Sequence, residues 1–557
     1  MSELLAGAGV LAAASSAAGA ILLPPGRLRA VAMLLALTLF PVLILGDQWD
    51  TRQIIDLRDS TGRLIALGAL AVGASAGLAY VFSRRPLLLP LGIVAALPFR
   101  IPLESGGDTA NLLVPLYLVI AGGVLATTVR DWRADPVGGV GVGGVEDGPW
   151  PARSAPPTPT TGPAGKAVTW LPRILAAVVV LYAVQVLYSA DFSKGLQNVC
   201  FFFVPFSLVY GLLRDVSWDR RLLTLVLWVV AVEAVAFVVV GSVEWLTRSL
   251  FWNDQVIRSN EFHTYFRVNS VFWDPNIYGR YLALVAVVAM SALMWARERR
   301  DLALLTALVA LLWLGLFPTF SQSSFVALLA GLAVLAALKW SLRWTLAAGG
   351  ACAILGVLVV LLAGGASKLS PDRINVDTSG RANLVSGGLH LFAQRPIYGY
   401  GSGSFPKAYR EHVETREVPV SVSHTEPITI AAESGLIGLS LYTALLLTAL
   451  WTMASGLRSS LSRLSDPRAG GAGVGGVEDG PWPARSAPPT PVTGPARQNA
   501  AVARAAILAT FTALLVHTMA YAGFFEDPIT WVLLAIGVSL AAADQRNLAA
   551  CRDTSAA

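Results

Sequence analysis

What most constrains this chain is a series of unbroken apolar runs, among them ALVAVVAMSALMW and LLAGLAVLAALKW, that recurs along its whole length. Each run is about 20 residues long, the length a helix needs to cross a hydrocarbon core of about 30 Å. Within that core backbone polar groups must bond to one another, so only helices and closed barrels can span it. A barrel would show strands of about ten residues that alternate in polarity. These runs are instead continuous and rich in Ala and Leu. The expected fold is therefore all-α, a polytopic transmembrane helical bundle of about 14 to 15 spans with a large, partly helical external loop. With 55% hydrophobic and 14% charged residues in 557, a water-soluble domain is excluded,.

Spans are expected near residues 4–23, 28–46, 63–82, 87–103, 110–129, 171–190, 196–213, 221–246, 277–295, 302–318, 323–339, 345–365, 427–454, 501–522 and 528–544. Their orientation follows from Lys and Arg, which keep short loops on the cytoplasmic side. Arg27 with Arg29, Arg84 with Arg85, Arg220 with Arg221, the ARERRD cluster at 296–301 and Lys339 with Arg343 fall on alternate loops. The amino terminus is thus expected outside and the carboxyl terminus inside. Glu3 stands where a secretory signal would carry a cation, so the first run is read as a retained span,.

The net charge of +6 lies in the segments between spans, so it does not imply a nucleic-acid partner,. Cys200, Cys352 and Cys551 show neither metal-ligand nor disulfide-framework spacing,. The expected organisation is an amino-terminal group of spans (1–129), a Gly/Pro-rich cytoplasmic linker (130–170), a transmembrane core (171–454), a second linker (455–500) and the last spans with the tail (501–557). The linkers share one sequence: GVGGVEDGPWPARSAPPTPTTGPA at 141–164 recurs at 473–496 with Val492 in place of Thr160. Gly and Pro at that density do not form a packed element, so the repeat reads as a duplicated, solvent-tolerated insert.

Two external loops are long, 247–276 and 366–426, and both hold cations on the side where cations are disfavoured,. In the larger, Ser379 followed by GRANLVSGGLHLFAQ reads as a capped helix, with Leu384, Leu389 and Phe392 at near-helical spacing and Pro396 closing it,. Arg381 falls in its first turn, where free amides, the helix dipole and a planar guanidinium all favour an anion such as phosphate. The following IYGYGSGSFPKAY is Gly-rich but succeeds a helix and not a strand, so a tight bend is favoured over a nucleotide loop,.

His424 stands just before the span that opens PITIAAESGLIGL. An imidazole there can be neutral near pH 7 and take a proton from a hydroxyl. His263, His390, His412 and His517 stand at no metal-ligand spacing from it. In the smaller loop Arg267 is a second cation facing the same side, set among Phe, Trp and Tyr suited to an interface,. Glu433 lies within a span and is functional by default, with Arg280 as a candidate partner,.

Four stretches, in order, resemble the O-antigen ligase and polymerase superfamily of bacterial glycan-assembling membrane proteins. They are FRVNSVFWDPNIYGRYLAL, FPTFSQSSFVALLAG, SGRANLVSGGLHLFAQRPIYGYGSGSF and SHTEPITIAAESGLIGLSLY. The resemblance implies transfer of a glycan from an undecaprenyl diphosphate carrier to an acceptor hydroxyl at the external face of the bacterial inner membrane, without a metal or other cofactor. The acceptor is a glycan, a lipid or a protein. By the same resemblance His424 activates that hydroxyl, Arg381 and Arg267 bind the diphosphate, and Asn276 and Glu433 line the substrate site. Gln322 stands where the family carries Arg after Ser321, and Thr425 where it carries Asn after His424.

The rival expectation is a transporter or lipid flippase for polysaccharide or lipid-linked glycan. Such a protein places charges and broken helices near mid-membrane, often in repeated groups of spans. Here the repeat is a linker and the cations gather in external loops, which favours transfer chemistry.

Overall fold

The computed structural model describes residues 2–51, 54–55, 59–105, 108–133, 163–251, 253–262, 265–364, 381–413, 423–465 and 494–556. The repeated linker segments, except for their last residues, fall outside these ranges, as do the Ser379 cap and His263.

The amino-terminal helices are α1 (Glu3–Leu22), α2 (Arg27–Asp47), α3 (Thr61–Arg84) and the short α4 (Leu88–Ala96). A hairpin of β1 (Ile101–Ser105) and β2 (Asp108–Leu112) follows, paired antiparallel from Ile101 opposite Leu112 to Ser105 opposite Asp108. Next come α5 (Val114–Arg133), α6 (Pro163–Val186), and α7 (Phe192–Leu213), whose Val199–Phe203 turn is π-helical. Then follow α8 (Arg220–Thr247), the loop helix α9 (Asp254–Phe262), α10 (Pro275–Trp295), α11 (Arg299–Leu316), α12 (Gln322–Lys339) and α13 (Leu342–Gly364). Two further loop helices, α14 (Arg381–Gln394) and α15 (Phe405–His412), lead to α16 (Glu426–Ala454), α17 (Leu457–Ser465), α18 (Gly494–Thr518) and α19 (Pro528–Ala556).

Among the described residues, 13 helices are long and apolar enough to cross a membrane, and α13, with 23 residues, has the length as well. The run at 87–103 is the exception. Only Leu88–Ala96 is helical there, a rise of about 13 Å that falls well short of a bilayer core,. Pro98 disfavours helix in the residue before it, Arg100 ends the apolar run, and the hairpin takes over,.

Polar contacts sort the loops to two ends of the bundle. At one end the Gly26 amide donates to Asp131, Arg29 pairs with Asp215, Lys339 Nζ donates to the Met294 carbonyl (3.0 Å) and Arg504 pairs with Asp544. At the other, Ser193 Oγ donates to Asp47 (2.9 Å) and Ser189 Oγ to the Ser402 carbonyl (2.9 Å). Arg267 and Arg381 reach Thr319 and Ala520 at that same end. This is the alternation that the placement of Lys and Arg predicts. Helices α7, α18, α10 and α19 are the most buried of these spans and form the inner ring. Outer helices present Leu246, Leu314 and Trp170 to the surroundings, as lipid-facing helices do,.

Candidate active site

The site grows from three pieces of chain that meet at the end of the bundle carrying both long loops. The first is the stretch after α9. Val268 donates its amide to the Pro318 carbonyl (3.1 Å), laying this stretch against the FPT turn between α11 and α12. Asn260 clamps Arg267 by accepting from its amide (3.0 Å) and donating to its carbonyl (2.9 Å). The guanidinium then donates through Nε to the Thr319 carbonyl (2.9 Å) and through Nη2 to Asn276 Oδ1 (3.2 Å). Burial lowers the Arg267 guanidinium from its usual value; Asp274 and Tyr265 oppose that, and Arg381 adds to it.

Asn276 lies in the first turn of α10, which Asp274 caps by accepting the Asn276 amide at 2.6 Å. Close approach of α10 to the TFSQSS stretch requires Gly279. A Cβ there would stand 2.8 Å from Ser324 Oγ and 3.1 Å from both the Ser321 Cβ and Thr319 Oγ1. Gln322, at the family's Arg position, is exposed at the start of α12.

The second piece is the start of α14, where half-buried Arg381 donates through Nη1 to the Ala520 carbonyl at 3.3 Å. The third is His424, whose φ of 60° is left-handed and costs a side-chain-bearing residue about 1–2 kcal/mol,. Its neighbours hold it there. Ser423 Oγ donates to the Thr425 carbonyl (2.7 Å) and accepts the Thr425 amide (3.2 Å), while that carbonyl also accepts the Ile428 and Thr429 amides that open α16. The His424 ring lies 6.3 Å from that of Tyr521, which lies 5.8 Å from His517. His517 Nε2 in turn lies 3.2 Å from Ser323 Oγ.

Burial lowers the His424 imidazole below its ordinary 6.5, Arg381 lowers it further, and Asp274 partly offsets them. His424 and Arg381 thus meet at Ala520–Tyr521, and Arg267 and Asp274 lie near enough to act on them electrostatically. The His424 imidazole is neutral at pH 7 and has no hydrogen-bond partner among the described residues. Such a group can accept a proton beside two cations suited to an anion.

Glu433 is placed elsewhere. Its Oε2 accepts from the Gly403 amide and its Oε1 from the Phe405 amide, both at 3.0 Å. These amides belong to the Gly-rich bend, where Gly399, Gly401 and Gly403 all have positive φ. The bend docks into a break in α16 at Gly435 (φ 60°), with the Gly401 amide on the Glu433 carbonyl and the Leu436 amide on that of Pro396. Tight-bend chemistry therefore describes the glycines, and the carboxylate holds the bend. Arg280 pairs not with Glu433 but with Asp527, at 2.6 Å.

Asp274, Tyr521 and Glu426 were not expected at the site. Glu426 Oε2 accepts the amides of Gly523 (2.6 Å) and Phe524 (3.1 Å), so it ties the turn before α19 to the start of α16 and places Tyr521. Asp274–Pro275 carries a helix-start signature, but nothing in the sequence connects it to His424. Comparison with curated proteins gives no significant match. Residues 307–443 do match the family model described as O-antigen ligase. The match takes in Arg381, His424 and Glu433, with Arg267 and Asn276 ahead of it. With its many apolar helices, this multi-pass membrane protein therefore carries, over residues 307–443, an O-antigen ligase domain.

Proposed function

We propose that this glycan-assembling membrane enzyme transfers a glycan from undecaprenyl diphosphate to an acceptor hydroxyl, at the external face of the bacterial cytoplasmic membrane. One observation supports the reading: Arg381 and His424 meet at Ala520–Tyr521 with Arg267 near enough to act on Arg381, although the three come from separate stretches of chain. In the reaction the acceptor O–H gives its proton to the imidazole while its oxygen bonds to the anomeric carbon. The bond from that carbon to the pyrophosphate breaks, and its electron pair leaves with the phosphate oxygen. Guanidinium donors aimed where this charge develops lower the barrier, and no metal is needed for that role. Asn276 orients Arg267 through their 3.2 Å hydrogen bond, and Glu433 supports the roof of the site.

The test is reconstitution of the full chain with undecaprenyl diphosphate oligosaccharide and candidate acceptors. His424→Ala should express and fold normally yet lose transfer; unaltered transfer would remove His424 as the base. Growth of product in repeat units identifies a polymerase, and arrest after one transfer identifies a ligase. Thiol labelling of cysteines placed at 366–380 from outside the cell checks the side assigned to the site.

A further inference from the structure

Helices α6 and α16 run antiparallel and leave a groove between them at one end. Toward the end of α6 they are tied together, where Ser434 Oγ donates to Gln185 Oε1 (2.7 Å). About 22 Å along the axis from Gln185, at the end of the bundle with the short cationic loops, Trp170 opens the groove,. Ala167, Trp170 and Ile174 of α6 line it together with Leu447, Thr448 and Trp451 of α16. Its volume of about 540 Å³ falls within the range of about 300–1,000 Å³ of clefts that hold small molecules,.

Trp170 and Trp451 are both exposed, one on each helix, as tryptophans are where hydrocarbon meets headgroups,. Arg173 is exposed as well, and its guanidinium lies 5.3 Å from the centre of the Trp170 ring. Helical side chains lean toward the amino terminus, which for α6 is the headgroup side, so the Arg173 charge is carried out of the hydrocarbon beside the groove. Exposed Lys166 stands one turn before Trp170 on the same face,. Among the described residues neither cation has a carboxylate at ion-pair distance. Asp131, Asp215 and Asp544, at this same end, pair instead with Arg130, Arg29 and Arg504.

We propose that this groove binds an anionic phospholipid of the cytoplasmic leaflet, with one acyl chain between Trp170 and Trp451 and the phosphate at Arg173 and Lys166. In a bilayer some lipid chain must fill such a recess, so the headgroup decides which lipid does. A zwitterionic headgroup brings no net charge to the two cations, whereas anionic lipid of the cytoplasmic leaflet is drawn to them. The cytoplasmic placement of this end follows the alternation of Lys and Arg among the loops. Arg267, Arg381 and His424 lie at the opposite end, so lipid binding here does not depend on the glycan-transfer reading.

The experiment is native mass spectrometry of the purified full chain, counting the lipid retained from equal mixtures of phosphatidylglycerol and phosphatidylcholine. The unaltered chain should retain phosphatidylglycerol in preference. Lys166→Gln combined with Arg173→Gln should lower that preference about tenfold, or about 1.4 kcal/mol. The melting temperature in detergent should hold, because both side chains are exposed. Leu447→Trp narrows the groove and should lower retention of phosphatidylglycerol. Equal retention of the two lipids by the unaltered chain, or an unchanged preference in the double variant, overturns the site. Unchanged retention by Leu447→Trp does so too, and if that variant does not fold, the double variant decides alone. Undecaprenyl phosphate that displaces phosphatidylglycerol at equal concentration would assign the groove to the glycan carrier and overturn the phospholipid.

Discussion

The two ends of the bundle both bury arginines, and they treat them differently. At the end with the short cationic loops, Arg29 meets Asp215 and the Gly211 carbonyl, and Arg504 meets Asp544 and the carbonyls of Met453 (3.2 Å) and Ser455 (2.8 Å). Each charge there is met by a carboxylate and by carbonyl oxygens at helix ends,. At the other end Arg267 and Arg381 are held by carbonyls and one amide oxygen, and among the described residues neither has a carboxylate at ion-pair distance. The first arrangement fastens helices together. The second keeps positive charge available for a ligand.

Substitutions sharpen this contrast. His424→Ala should lower transfer by about 10²- to 10⁴-fold with unchanged expression, the usual worth of a positioned base, read in a reconstituted assay. Arg381→Gln should lower transfer by about 10²-fold and leave the melting temperature nearly unchanged, since it removes charge stabilisation and only one carbonyl contact,. Arg504→Ala should do the reverse. It strands Asp544 and should cost about 3 kcal/mol of stability, read as lost yield and a lower melting temperature, while activity per folded molecule holds,. If Arg504→Ala abolished transfer in well-folded protein, the division of labour between the ends would fail.

Smaller effects test the site. Glu433→Gln keeps an acceptor for one of the two bend amides, so it should lower thermal stability modestly, by about 1 kcal/mol,. A pH profile reads the base directly. Because His424 acts when neutral and titrates below 6.5, transfer should persist at pH 6.5 and fall at lower pH as the imidazole protonates. Arg381 depresses this titration and Asp274 raises it, so Arg381→Gln should move the acid limb to higher pH and Asp274→Asn to lower pH. Opposite signs, or no movement, would separate His424 from its assigned neighbours.

Much of the fold is legible because membrane spans obey a length rule that local sequence carries. The alternation of cations is equally local, and the structure sorts the loops accordingly. The run at 87–103 misleads since its apolar residues meet the length while Pro98 and Arg100 deny the helix. Arg267, Arg381 and His424 can be singled out by chemistry, but their meeting cannot: Arg381 reaches a carbonyl 139 residues away. Glu433 shows the limit most clearly. An acid inside a span looks available for a ligand until the returning bend supplies the amides of Gly403 and Phe405, and no spacing rule announces that return.

The discontinuity at Gly435 divides α16 into two mechanical bodies. A side chain at Gly435 would press to 2.4 Å on the Ile397 backbone, so the joint tolerates only glycine while the bend occupies it. Residues below the joint are anchored with the lipid-embedded helices. Those above it are laced to the Gly-rich bend and, through Glu426, to the turn before α19. The segment that carries His424 is therefore positioned by the loops that meet over the bundle.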